Sequence, residues 1–153
     1  NGYSLVRKVF DVEHADLGRT CDELGTTLGE ALLTPTVIYV KPVLAAIAAA
    51  EVHGVSHITG GGFYENIPRS IPEGLCARIE KGNVRTPAIF PLLQRTGEIP
   101  ERDMFNTYNM GVGMTLMVGP ETADAALRAL RAGGCDAYVL GEIVPGEEKI
   151  ALI

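Results

Sequence analysis

The segment richest in chemistry is His57-Ile-Thr-Gly-Gly-Gly-Phe-Tyr-Glu-Asn-Ile-Pro-Arg69. Three successive glycines after an extended run let the main chain take conformations closed to other residues. They can turn several N–H groups toward one concave point, an arrangement that holds phosphate oxygens. Just beyond Gly60, Gly61 and Gly62 stand Glu65, an acceptor, and Asn66, whose amide both donates and accepts. Arg69 adds a planar fork that grips a phosphate or carboxylate through two hydrogen bonds. Against this stands the plainer use of a glycine triplet as a tight turn. The triplet is neither the dinucleotide fingerprint nor the P-loop, since no Gly-Lys-Ser/Thr follows it.

Three further positions qualify as candidates. His57 falls at the end of a strand-like run, where side chains reach a site in an open layered sheet. As a lone histidine with no His or Cys at ligand spacing, it reads first as a hydrogen-bonded structural residue. In Asn109-Met-Gly-Val-Gly-Met114 the glycines mark close approach of a ligand or of another backbone, and Asn109 can hydrogen-bond an amide or a phosphate. Lys41, in Thr34-Pro-Thr-Val-Ile-Tyr-Val-Lys-Pro42, is either a phosphate partner or a solvated cap residue. Cys21, Cys76 and Cys135 are odd in number and far apart, which fits inert thiols in a reducing cytosol better than a disulfide framework or a metal site. No metal ligand set is expected.

The elements that position these groups follow from periodicity. Ser4 reads as a cap for a short amphipathic helix reaching about His14, followed by a polar linker to Arg19. Leu28–Leu33 gives one or two helical turns, and Val37–Val40 reads as a short strand or extended segment. Pro42 to Val52 is a helix, apolar on most sides, and Val55–Thr59 a strand entering the glycines. Leu75–Glu80 reads as a strand, Ala88–Arg95 and Glu101–Asn109 as helices, and Gly111–Val118 as a buried strand. Pro120 to Ala132 carries the clearest helical pattern, with Ala123, Ala126, Leu127 and Leu130 on one side. Asp136–Val144 and Lys149–Ile153 read as two strands joined in a hairpin across Pro145–Glu148. The expected architecture is α+β: a layered α/β/α domain with a mixed sheet.

Composition narrows the function. A chain of 153 residues is one domain in size and buries roughly 70% of its unfolded surface. With 46% hydrophobic and 21% charged residues it has the balance of a folded globular protein. The longest apolar run, Pro42 to Ala50, is far short of the ~20 residues that span a bilayer. A net charge of −6 gives no footprint for nucleic acid, so any phosphate must be met by local groups. Without an initiator methionine or a signal pattern at Asn1, the chain reads as part of a longer protein.

Taken together these segments resemble one family. Asn1-Gly-Tyr-Ser-Leu5 with Arg7, Leu33 to Lys41, His57 to Gly62 with Glu65-Asn66 and Pro68-Arg69, Pro72-Glu-Gly74, and Asn109 to Met114 occur in the order found in the carboxy-terminal half of aminoimidazole ribonucleotide synthetases, also called phosphoribosylformylglycinamidine cyclo-ligases. The resemblance covers nearly the whole chain.

It implies ATP- and magnesium-dependent ring closure in purine synthesis. The formyl amide oxygen of formylglycinamidine ribonucleotide is activated by phosphoryl transfer, and a substrate nitrogen then displaces phosphate. In that family the site lies between two domains, and the magnesium-binding acids and most nucleotide contacts belong to an amino-terminal domain outside this sequence. The resemblance therefore implies that this domain alone binds no ATP or Mg and is inactive. It assigns Thr59, Gly60, Gly61, Gly62, Asn66 and Arg69 to the anionic end of the substrate or the transferred phosphate, and names no catalytic base. It further implies a cytoplasmic enzyme, homodimeric at full length, with no membrane or nucleic-acid partner. The neighbouring readings are a formylglycinamidine ribonucleotide synthetase, a selenophosphate synthetase, or a non-catalytic dimerising module.

Overall fold

The strongest helical pattern becomes a helix where its alanines and leucines can pack. In the computed structural model, which describes residues 1–153, the chain forms seven α-helices and seven strands. The helices are α1 (Tyr3–Val9), α2 (Leu28–Leu32), α3 (Val40–Ala49), α4 (Gly62–Asn66), α5 (Ile89–Thr96), α6 (Glu101–Thr107) and α7 (Ala123–Ala132). The strands are β1 (Thr20–Cys21), β2 (Thr26–Thr27), β3 (Val52–His57), β4 (Leu75–Ile79), β5 (Met114–Val118), β6 (Gly141–Pro145) and β7 (Ile150–Leu152). Helices combined with one mixed and two antiparallel sheets make the α+β class that the sequence indicates. No helix is long and apolar enough to cross a membrane.

β3 pairs antiparallel with β5, placing His57 opposite Met114. In the three-stranded sheet β4 is central, antiparallel to β6 and parallel to β7. The expected hairpin between the last two strands is therefore wrong: β4 intervenes, and β6 starts only at Gly141. A parallel neighbour for β4 requires a long crossover, and no local pattern around Pro145–Glu148 announces that. Of the two readings of Val37–Val40, the strand does not form. Residues 34–39 run without regular structure, and α3 begins at Val40.

Several boundaries also move. α1 stops at Val9, not His14, and its cap is Gly2 (φ 74°) rather than Ser4, which lies inside the helix. A Cβ on Gly2 would stand 2.5 Å from the Tyr108 ring, so only glycine fits the approach. The linker is followed by an unforeseen hairpin of β1 and β2, which leads into the Thr27–Glu30 capping box of α2.

The core determines where the glycine bend sits. Phe63, Ile67, Leu93 and Met104 are fully buried, and the Phe63 ring meets that of Phe105 edge-on at 5.2 Å. Burying a side chain of this size contributes roughly 1.5–3 kcal/mol. Because Phe63 immediately follows Gly62, that burial anchors the bend on the core. Sequence patterning read the glycines as a loop and missed that they open α4 and a 3-10 turn over Ile67–Ser70.

Candidate functional site

Thr59, Gly60, Gly61, Gly62, Glu65 and Asn66 come together in one bend between β3 and α4. Gly61 (φ 89°) and Gly62 (φ 55°) both lie in the left-handed region. At Gly62 the requirement is doubled, because a Cβ would stand 2.0 Å from the main-chain oxygen of Phe105 on α6. At Gly61 a Cβ would stand 2.5 Å from the Glu65 carboxylate, which lies against this face of the bend.

Asn66 organises the bend. Its side chain is 3% exposed, and its Nδ2 donates to the carbonyls of Gly62 (2.8 Å), Gly60 (3.1 Å) and Thr59 (3.3 Å). In a planar trans peptide the N–H points opposite to the C=O. Three carbonyls drawn toward one amide therefore turn the N–H groups of Gly60, Gly61 and Phe63 away from it. None of these three has a hydrogen-bond partner, whereas Gly62 N–H donates to Thr59 O and Glu65 N–H to Gly61 O. Gly60 is exposed and its open side faces the Asn1 side chain. Phe63 is fully buried, so the bend presents outward-facing main-chain donors at Gly60 and Gly61, while Asn66 acts on the loop rather than reaching outward as the sequence reading had it.

The remaining candidates separate. Arg69 is exposed in the 3-10 turn after α4 and makes no ion pair, so its guanidinium is free. His57 is exposed at the end of β3. It packs edge-on against Tyr39 (centroids 6.3 Å apart) and makes no side-chain hydrogen bond, unlike the hydrogen-bonded structural role open to it from sequence. Tyr39 also fills the space beside Gly113, where a Cβ would meet its hydroxyl at 2.0 Å, and burial, with Cys135 nearby, raises its phenol above the ordinary value. Packing thus explains Gly113, and the φ of 94° and the contact with Pro87 explain Gly111. Asn109 Oδ1 accepts from Gly111 N–H at 2.9 Å, which commits that oxygen to its own turn. Lys41 is solvated in the first turn of α3, two residues after Tyr39.

Arg102 is a residue that sequence reasoning missed. From α6 its guanidinium lies over the Tyr64 ring, 4.4 Å from the centroid, which brings a second cation to α4. Residues 38 positions apart carry no local signal of such a contact.

Two shallow depressions lie elsewhere. One of about 590 Å³ surrounds α1 with Arg7, Asp11 and Glu13, and one of about 540 Å³ adjoins the β1–β2 hairpin with Arg19 and Cys21. The first is lined mainly by solvated charges, and neither contains the bend. No three His, Cys, Asp or Glu side chains converge as a metal-ligand group. The three cysteines are free thiols.

Residues 1–153 match the family described as AIR synthase related protein, C-terminal domain. The chain is 51% identical over 154 residues to a phosphoribosylformylglycinamidine cyclo-ligase of Caldicellulosiruptor bescii, with 99% of this chain and 45% of that protein covered. It is 50% identical to the protein of the same name from Shouchella clausii (98% and 44% covered) and 51% identical to that from Lachnoclostridium phytofermentans (99% and 45%). The chain thus spans about 45% of the length of the curated relatives it matches.

Proposed function

This chain belongs to the AIR synthase related proteins as their C-terminal domain, and from that premise we propose that it is the carboxy-terminal half of an ATP-dependent cyclo-ligase that closes formylglycinamidine ribonucleotide to aminoimidazole ribonucleotide. The observation that carries the chemical part is the bend whose accessible N–H groups at Gly60 and Gly61 have no partner. Such donors suit the oxygens of a phosphate, whether on the substrate or in transfer.

ATP supplies the phosphoryl group that turns an amide oxygen into a leaving group. The part assigned to this chain is to bind and orient. The N–H groups of Gly60 and Gly61 hold phosphate oxygens, and Asn66 keeps those groups aimed outward. The Arg69 guanidinium offsets the negative charge that Glu65 places at the rim. Such positioning and charge stabilisation are the main protein contributions to phosphoryl transfer. Magnesium and most nucleotide contacts are assigned to the amino-terminal half, and the whole enzyme is read as a cytoplasmic homodimer.

The test joins this chain to the amino-terminal part of a curated relative and follows ADP release with formylglycinamidine ribonucleotide. The joined protein is expected to turn over and the isolated chain is not. Gly61→Ala in the joined protein should lower kcat by roughly tenfold or more, the scale of losing a preorganised donor. Turnover by the isolated chain, or turnover of selenide in place of the ribonucleotide, would refute the assignment.

A further inference from the structure

The surface from Leu33 to Ile47 does not behave as a protein exterior. Leu33 and Ile38 are each 81% exposed, Val40 64% and Leu44 60%, with Val37 and Ile47 also exposed. Six large apolar side chains within fifteen residues make a concentrated patch, not the scattered single exposures that are ordinary on a surface. The main chain here is equally unsatisfied. The N–H groups of Thr36, Val37 and Ile38 have no hydrogen-bond partner, and residues 34–39 run without bend or turn through a β-branched, aromatic sequence. Free main-chain groups beside β-branched side chains are the features of an unpaired strand edge.

The whole chain shows the same deficit. Its accessible surface is 9132 Å² at 16.3 kDa, whereas a folded monomer of that mass exposes roughly 7,500 Å². The excess, roughly 1,600 Å², exceeds the ~800 Å² that each partner contributes to an interface of standard size. That much surplus calls for a permanent neighbour.

We propose that residues Leu33 to Ile47 form the docking surface for the amino-terminal half of the enzyme, with Thr36–Ile38 adding as a strand to that half. This rests on the reading that the chain is one half of a longer cyclo-ligase, and it specifies where the halves meet. Two observations choose this occupant over a second copy. The curated relatives carry more than half of their length outside the matched region, enough polypeptide to cover the surplus. The patch also adjoins the candidate site: Tyr39, at its centre, packs on His57 at the end of the strand that leads into the glycine bend. A partner seated on Val37 and Ile38 therefore stands beside the bend and forms the second wall that a one-sided anion cradle lacks. Strand addition supplies register through the main chain, and the apolar side chains supply affinity.

The test compares the 153-residue chain with the same chain carrying the amino-terminal part of the C. bescii relative, joined before Asn1 or added separately. Cysteine is placed by Ile38→Cys or Leu44→Cys, with Ile143→Cys on β6 as the control, and thiol labelling is read site by site by mass spectrometry. The expected result is at least tenfold slower labelling at the two patch positions when the other half is present, with the control unchanged. Main-chain amides of Thr36–Ile38 should become protected from hydrogen exchange under the same conditions. Equal labelling with and without the other half overturns the proposal. So does an isolated chain that sediments as a dimer and is dissociated by Ile38→Asp, since a second copy then covers the patch. Neither of these results touches the glycine-bend reading, which is judged separately by the turnover of the Gly61→Ala protein.

Discussion

Replacing Asn66 tests whether one buried amide sets the shape of the glycine bend. Its two hydrogens meet three carbonyl oxygens at 2.8, 3.1 and 3.3 Å, so two good bonds form and the third oxygen shares a donor. In Asn66→Ala about two net hydrogen bonds of ~1 kcal/mol each are lost, while the Gly62 carbonyl keeps the main-chain N–H of residue 66 within α4. The expected loss of stability is about 2 kcal/mol, a fall in Tm of roughly 4–8 °C at this chain length. Asn66→Asp keeps the shape but sets a carboxylate against three carbonyls, which raises the folded-state pKa of the new carboxyl above its unfolded value of ~3.9. Stability linked to that proton is fully present below about pH 3.9 and is lost as pH rises through the folded pKa. Relative to wild type, the Asn66→Asp protein should therefore weaken progressively from about pH 4 upward. Urea denaturation of the three proteins across pH 3.5–8 measures both effects. An Asn66→Ala protein within about 0.5 kcal/mol of wild type, or an Asn66→Asp curve parallel to wild type at every pH, defeats the reasoning.

Two further outcomes follow from local geometry. Gly62→Ala places a methyl 2.0 Å from the Phe105 carbonyl at a φ of 55°. Neither backbone can yield cheaply, so a loss above ~3 kcal/mol in urea denaturation is expected, and a loss under ~1 kcal/mol contradicts the packing of α4 on α6. The Glu30 carboxyl is held below its ordinary value chiefly by the Thr26 hydroxyl, then by the Thr27 N–H and hydroxyl. Its contribution to the α2 cap is present above the unfolded pKa and is lost as pH falls through the lowered folded one. The stability difference between wild type and Glu30→Gln should accordingly be constant above about pH 5 and shrink toward pH 3, and a difference that does not vary with pH removes this carboxylate from the cap.

The α+β class, α7, β4 and the glycine bend were all legible in the chain, because each depends on residues near one another in sequence. Alternation or 3.6-residue spacing announces which face is buried, and a glycine triplet announces an unusual backbone wherever it occurs. The family was also legible, because several short segments occur together in a fixed order. Main-chain pairing and side-chain contacts between distant residues were not. Val37–Val40 has the composition of a strand, yet it pairs with nothing in this chain, since a strand exists only where another edge meets it. The last two strands looked like a hairpin until β4 entered between them.

At the site the same division holds. The sequence by itself determined that Gly60–Gly62 would form an unusual bend and that Asn66 and Arg69 would lie close to it. Only the tertiary structure decided that Asn66 turns inward to hold the carbonyls while Arg69 stays free, and that Arg102 arrives from α6 over Tyr64. The physical reason is that backbone permissiveness belongs to the residue itself. The direction in which a side chain or an N–H group points is settled by whatever the rest of the chain packs against it, as Phe105 does against Gly62.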